Sequence, residues 1–375
     1  MQIKELVKSG INKQVGFLPC ISIILPTHPK GNERQIDEPA LRKAIEFVLL
    51  QIKQIHPDYF YEIQNKLKIV TEEIDFLRNE LGIGVFVSPN FSKWVKFSFP
   101  VKEHIIVDST FRLRELLFQQ QLDINYYYLS LNTDIIRLYS FSGSEFKEIR
   151  DEAFPHLILD DYIYEKPFRG NSYLNFTKST EKDKSIMKEK RFQAELKKVD
   201  DILQKYLKES PIFISGVKKE TGYFLKLSAN KKNIAGIIDG NYSEGNNKIP
   251  KERIYKEVLS WMNMKEDEML DAFADSFGKR QVASGLEEVW YASKNGMGMD
   301  LFIEKDFECE AYLTESKGLL SRFKPLENHQ YIPDAVDYII AIVLSMNGKI
   351  HIVGNNKLEQ HDRIALKLRY RRSEN

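Results

Sequence analysis

Two stretches late in the chain share one grammar. GLEEVWYASKNGMGMDLFIEKDF (285–307) and AVDYIIAIVLSMNGKIHIVGNN (335–356) each read as helix, tight turn at glycine or Asn-Gly, then apolar strand. A helix followed at once by a strand buries its apolar face only by folding back on a sheet, so the repeated unit requires α/β layering. ISIILP (21–26) is a β-branched apolar run closed by proline, and ALRKAIEFVLLQIKQI spaces its apolar residues by three and four. These predict a buried strand and an amphipathic helix. IQNKLKIVTEEIDFLRNEL reads as a further helix, and GIGVFVSP, WVKFSFP and EHIIVDS as strands.

YYYLSLNTDIIRLYSFSGSEFKEIR breaks into three β-rich runs at Asn132-Thr133-Asp134 and Ser142-Gly143-Ser144, the pattern of an antiparallel meander. A long polar helix is expected over about Asp183 to Lys208, with Met187, Phe192, Leu196, Val199, Leu203 and Leu207 as its packed stripe. PIFISGV and IAGII read as strands, DGNYSEGNNKIP as a loop, and 249–278 as a charged helix opened by Pro250 and stopped by Gly278. The fold class is mixed α/β, and the expected domains are 1–123, 124–248 and 249–375.

Composition removes several function classes. Net charge is +1, from 55 basic and 54 acidic residues, which excludes a simple coat for nucleic acid but leaves room for local basic patches. No apolar run reaches the roughly 18 residues of a membrane span. MQIKELVKSG lacks the apolar core of a signal peptide, and Cys20 and Cys309 stand alone, so a reducing cytoplasm is the expectation. The seven histidines show no HxH or HxxxH spacing, and neither phosphate-binding glycine motif is present, so no metal or cofactor is expected.

Three segments carry candidate chemistry. Thr27-His28 follows a strand, where α/β folds place ligands, and His28 with Glu33, Asp37 or Glu38 would make an acid–base pair. Loop geometry and helix capping account for the same residues. Lys166, Arg169, Lys178, Lys182, Lys184, Lys188, Lys190 and Arg191 interleave at their start with Phe168, Tyr173 and Phe176. Charge with flat side chains suits phosphates and unstacked bases of RNA. A solvated helix face, offset by Glu181, Asp183 and Glu189, fits them too. KLRYRR (367–372) is a weaker basic patch.

ISIILPTHPKGNERQIDEPALRKAI, with Pro26, Thr27, His28, Gln35, Pro39, Leu41 and Lys43 in order, resembles the opening motif of a bacterial family related to the archaeal and eukaryotic class-1 release factors. GIGVFVSPNF, YYYLSLNTDIIRLYSF, PIFISGV and DAVDYIIAIVLSMNGKIHIV with LKLRY are similar to its later landmarks, and the chain also resembles the branch that contains Balon-type ribosome hibernation factors. The resemblance implies a three-domain release-factor-like architecture: a decoding-type domain, a domain reaching the peptidyl-transferase centre, and a partner-binding domain. In release factors the middle loop carries Gly-Gly-Gln, which places a water on the peptidyl-tRNA ester.

The matching stretch is PFRGNSY, with Arg169 at the first glycine, Gly170 at the second, Asn171 at the glutamine, and Ser172 following. Arginine restricts the backbone where glycine is permissive, and Asn is one methylene short, about 1.5 Å of reach. Arginine instead favours phosphate. The decoding motif Asn-Ile-Lys-Ser is absent too. The resemblance therefore implies a non-catalytic factor that fills the tRNA (A) site, contacting ribosomal RNA or tRNA through Arg169, Gly170, Asn171 and Ser172. Thr27, His28, Lys30 and Arg34 would lie toward the decoding site, and a translational GTPase such as elongation factor Tu would be the partner. Alternatives are a peptidyl-tRNA hydrolase acting in ribosome rescue through Asn171, and an unrelated hydrolase or nuclease using His28.

Overall fold

The protein is a mixed α/β chain with several separate sheets. The computed structural model describes residues 11–12, 16–29, 35–142, 145–158, 173–240, 242, 251–276, 281–314 and 318–370. They divide into two compact units, Met1–Leu122 with Leu270–Asn375, and Asp123–Met269.

In the first unit a short ribbon, β1 (Ile11–Asn12) and β2 (Gly16–Phe17), precedes β3 (Cys20–Pro26), α1 (Asp37–Ile55), α2 (Phe60–Glu72), β4 (Gly82–Ser88), β5 (Phe91–Phe97), β6 (His104–Asp108) and α3 (Arg114–Leu122). The strands order as β5-β4-β3-β6, all antiparallel. ISIILP is nearly continuously apolar because β3 is covered on both faces. Ile21, Ile23 and Leu25 join Leu41, Val48 and Ile52 of α1 and Ile63 and Leu67 of α2. Cys20 and Ile24 face the opposite core. Ser22, on that second face, is buried and accepts the Arg112 backbone N–H at 3.0 Å.

Gly84 makes this second face possible. A Cβ there would lie 2.8 Å from ring atoms of both Phe86 and Phe97, which are wholly buried. Gly84→Ala is expected to cost about 1–3 kcal/mol by overpacking, read from urea unfolding. A neutral substitution would mean that the two rings can move apart.

The second unit holds β7 (Tyr126–Ser130), β8 (Ile135–Ser142), β9 (Glu145–Glu148), β10 (His156–Leu157), α4 (Tyr173–Leu207), β11 (Ile212–Gly216), α5 (Lys218–Leu227) and β12 (Ile234–Asp239), followed by α6 (Lys251–Ala274), which continues past the unit's end. The β7–β8–β9 meander is antiparallel as expected, and β11 lies parallel between β7 and β12. Leu129, Leu138, Ile212 and Ile214 pack on Phe192, Leu196, Val199 and Leu203 of α4. Tyr128, Tyr139, Phe213 and Ile238 form a separate core with Ile254 and Val258 of α6.

The first unit resumes with β13 (Val282–Ser284), α7 (Leu286–Lys294), β14 (Gly298–Glu304), β15 (Ala311–Thr314), β16 (Leu320–Ser321), β17 (His329–Ile332), α8 (Ala335–Ser345), β18 (Lys349–Val353) and β19 (Ile364–Leu368). The sheets order as β13-β19-β14-β18 and β16-β15-β17. Both helix–turn–strand units form, with β14 and β18 parallel. Gly296 (φ 71°) and Asn347 (φ 60°) take the left-handed conformation that ends each helix. Trp290, Leu301, Ile339 and Leu366 share one core with Ile24, Phe86, Phe97 and Leu116.

A buried ionic network accompanies that core. Arg114 Nη2 donates to Asp334 at 2.6 Å and lies 3.8 Å from Asp337. Arg112 Nε donates to Glu115 at 2.9 Å and Arg112 Nη2 to Glu308 at 2.8 Å.

Three helix expectations need correction. The helix expected across 63–81 stops at Glu72, because the Asp75 carboxylate accepts the Leu77 N–H at 2.9 Å and stabilises a separate short turn. α4 starts at Tyr173 rather than near 183, since neither proline nor glycine interrupts 173–207. Met187 is exposed, and the stripe that packs begins at Phe192.

Candidate functional site

The parallel trio β7, β11 and β12 sets where a site can form, because in such sheets a crevice opens beyond the carboxyl ends of the strands. A cleft of about 570 Å³ lies at the ends of β7 and β11. Thr133 and Asp134 line it from the turn after β7, Val217, Lys219, Glu220 and Tyr223 from the start of α5, and Lys188, Arg191 and Phe192 from α4.

The turn into α5 is held by Glu220. Its buried carboxylate accepts the Val217 N–H at 3.2 Å, and burial pushes its pKa up, partly opposed by that hydrogen bond. Gly216 leaves room for this return, since a Cβ there would sit 3.1 Å from the carboxylate and from Leu131. At the mouth, Lys219 pairs with Glu189 at 2.8 Å and lies 5.8 Å from the Tyr223 ring centroid. Such an exposed pair contributes little stability and exchanges readily for another anion. Lys188, Arg191 and Lys219 therefore stand around a cleft with an aromatic wall, alongside Asp134, Glu189 and the buried Glu220, whose pKa is raised by burial. Cations around a flat ring suit a phosphate-bearing strand with an unstacked base.

Of the residues singled out in the sequence, Arg169, Gly170, Asn171, Ser172, Lys30, Arg34 and Glu33 lie outside the described residues. Thr27 and His28 belong to the first unit. Thr27 is buried and donates its hydroxyl to the Glu80 carbonyl at 2.9 Å, so it closes the loop after β3. His28 gives its backbone N–H to Asp37 at 2.9 Å and holds Nδ1 2.7 Å from the same carboxylate. Asn79 Nδ2 donates to Asp37 at 2.6 Å. Asp37 is thus the acid that pairs with His28, whereas Glu38 pairs with Arg42. This is a histidine–carboxylate pair whose neighbouring hydroxyl, Thr27, is already committed to a carbonyl. Among the described residues no group of three or more His, Cys, Asp or Glu side chains could hold a metal ion, and no helix is long and apolar enough to cross a membrane.

The sequence reading reached Lys188 and Arg191 through their basic run, but not Lys219, Glu220, Tyr223 or Asp134. The signal for the missed residues was the short PIFISGVKKE turn, where a strand passes straight into a helix.

No curated protein sequence matches the chain significantly. Among solved structures, the archaeal translation termination factor aRF1 is 14% identical over 98% of this chain and 96% of its own, with a TM-score of 0.25. Archaeoglobus fulgidus Pelota is 16% identical over 78% and 80%, with a TM-score of 0.37. Dom34 of S. cerevisiae, described as a translation termination-like factor interacting with Hbs1, is 15% identical over 78% and 80%, also at 0.37. TM-scores this low leave residue correspondences undefined. The sequence from 125 to 297, which contains the whole cleft, matches the family profile described as Bacterial archaeo-eukaryotic release factor family 3.

Proposed function

We propose that this chain is a ribosome-binding factor of release-factor type that fills the tRNA (A) site and protects an idle ribosome, without releasing peptide. One observation carries the reading: residues 125–297 match a release-factor family profile, in a chain whose sequence contains no Gly-Gly-Gln. In release factors the Gly-Gly-Gln loop places a water on the peptidyl-tRNA ester, and a misplacement of about 1 Å costs such a step about 100-fold. A loop reading Arg169-Gly170-Asn171 offers a phosphate-binding cation and a shorter amide in its place.

In this reading the division is 1–123, 124–248 and 249–375. Arg169, Gly170, Asn171 and Ser172 approach the peptidyl-transferase centre, and Lys188, Arg191 and Lys219 beside Tyr223 add an RNA-contacting surface in the same unit. Thr27 shapes the first-segment loop, from which His28, Lys30 and Arg34 face the decoding site. The third segment takes a translational GTPase such as elongation factor Tu. The factor acts in the cytoplasm, in hibernation under stress.

The competing reading is a hydrolase for ribosome rescue, and a release assay separates the two. With labelled peptidyl-tRNA on stalled ribosomes, peptide is expected to stay on the tRNA at saturating protein, and Asn171→Ala is expected to change nothing. Release that disappears in Asn171→Ala would establish the hydrolase instead.

A further inference from the structure

A second cavity, of about 290 Å³, lies in the first unit beside the buried ionic network and shares no lining residue with the cleft of the second unit. Its lining holds Lys102, Arg112, Arg114 and Lys305 with Glu115, Asp306 and Glu308, and Phe99 and Phe118 packed edge to face at 4.7 Å. Arg114 is buried, and its Nε and Nη1 find no hydrogen-bond partner. These two nitrogens are closed off from solvent, so Arg114 adds buried positive charge behind the cavity surface.

The carboxylates nearby are already engaged. Glu115 takes Arg112 Nε with both oxygens, at 2.9 and 3.0 Å. Glu308 takes Arg112 Nη2 at 2.8 Å and stays 3.9 Å from Arg114 Nη1. Asp306 accepts from Asn355 at 2.7 Å and stands 3.8 Å from Lys102. Lys305 Nζ rests over the Phe118 ring, 4.3 Å from its centroid. His104, also in the lining, has its pKa lowered chiefly by burial and then by Arg112.

We propose that this cavity binds a phosphomonoester with a flat or apolar body, its phosphate meeting Lys102 and Lys305 in front of the buried Arg114 charge and its body resting on Phe99 and Phe118. Several donors on separate side chains need several oxygens on one centre, and a phosphate supplies them with two charges. The volume is far above the roughly 30 Å³ share of one water and close to the roughly 300 Å³ lower end of small-molecule sites, so inorganic phosphate alone would leave the aromatic wall bare.

Isothermal titration of the full chain with inorganic phosphate, phenyl phosphate and phenol tests this. Phenyl phosphate is expected to bind saturably and about tenfold or more tighter than inorganic phosphate, with phenol silent. Lys305→Gln, at a side chain outside the apolar core, is expected to weaken phenyl phosphate about tenfold while unfolding at the same urea concentration as the parent. Lys102→Gln serves as a second such variant. Absence of saturable heat with either phosphate, equal affinity for the two, or affinity unchanged in both lysine variants would overturn the proposal.

Discussion

Arg114→Ala is expected to destabilise the first unit by about 3–5 kcal/mol, the cost of leaving a buried carboxylate pair without its cation. Arg114 is 2% exposed and donates to Asp334 at 2.6 Å, with Asp337 at 3.8 Å. Asp334 keeps a second role in the variant, since it caps α8 by accepting the Val336 N–H at 3.1 Å. Asp337 has no such reserve, because its Oδ1 lacks a hydrogen-bond partner. Burial pushes the Asp337 carboxyl up to about 7 against the pull of Arg114.

The pH dependence follows from that direction. The native state keeps a proton on Asp337 that the unfolded chain has lost above about pH 4. Stability assigned to this group therefore falls as pH rises from about 4 to about 7, then levels off. Asp337→Asn is expected to remove that part of the slope, and the pair Arg114→Ala with Asp337→Asn to recover part of the loss. Urea unfolding at pH 5 and pH 8 reads all three variants. A change within about 0.5 kcal/mol for Arg114→Ala would contradict the role given to this network.

Arg169→Glu is expected to weaken ribosome binding about tenfold or more, the scale of one charge-assisted contact replaced by repulsion. The proposed function makes this arginine the foremost phosphate contact of the middle segment. The unfolding midpoint is expected to stay that of the parent, because the cores of the second unit are built from other residues. Affinity should also fall with rising salt, with a smaller slope in the variant, as loss of a phosphate contact requires. Unchanged affinity and slope would remove Arg169 from the interface.

Local patterning made much of the fold legible. ISIILP, the meander and the two helix–turn–strand units announced themselves because apolar periodicity and left-handed turn residues act over a few positions. Helix ends were harder to read. Asp75 ends a helical pattern with a single side-chain hydrogen bond, and nothing in the periodicity of 63–81 marks it. Contacts across long separations were not legible at all. Arg114 meets Asp334 across 220 positions, and either residue alone reads as an ordinary surface charge. The cleft shows the same division. Lys188 and Arg191 stand out in a basic run, whereas Asp134 and Glu220 become neighbours only because β7 and β11 pair in parallel. His28 and Asp37, nine positions apart, were visible as one of three candidate pairings, with Glu33 and Glu38 the others.

The central claim is that this chain binds the ribosome itself. Co-sedimentation of purified protein with bacterial ribosomes at moderate salt tests it most directly. The account predicts that the protein pellets with ribosomes in a saturable way and leaves the pellet as salt rises. Protein remaining wholly in the ribosome-free fraction, at every salt concentration, would contradict it.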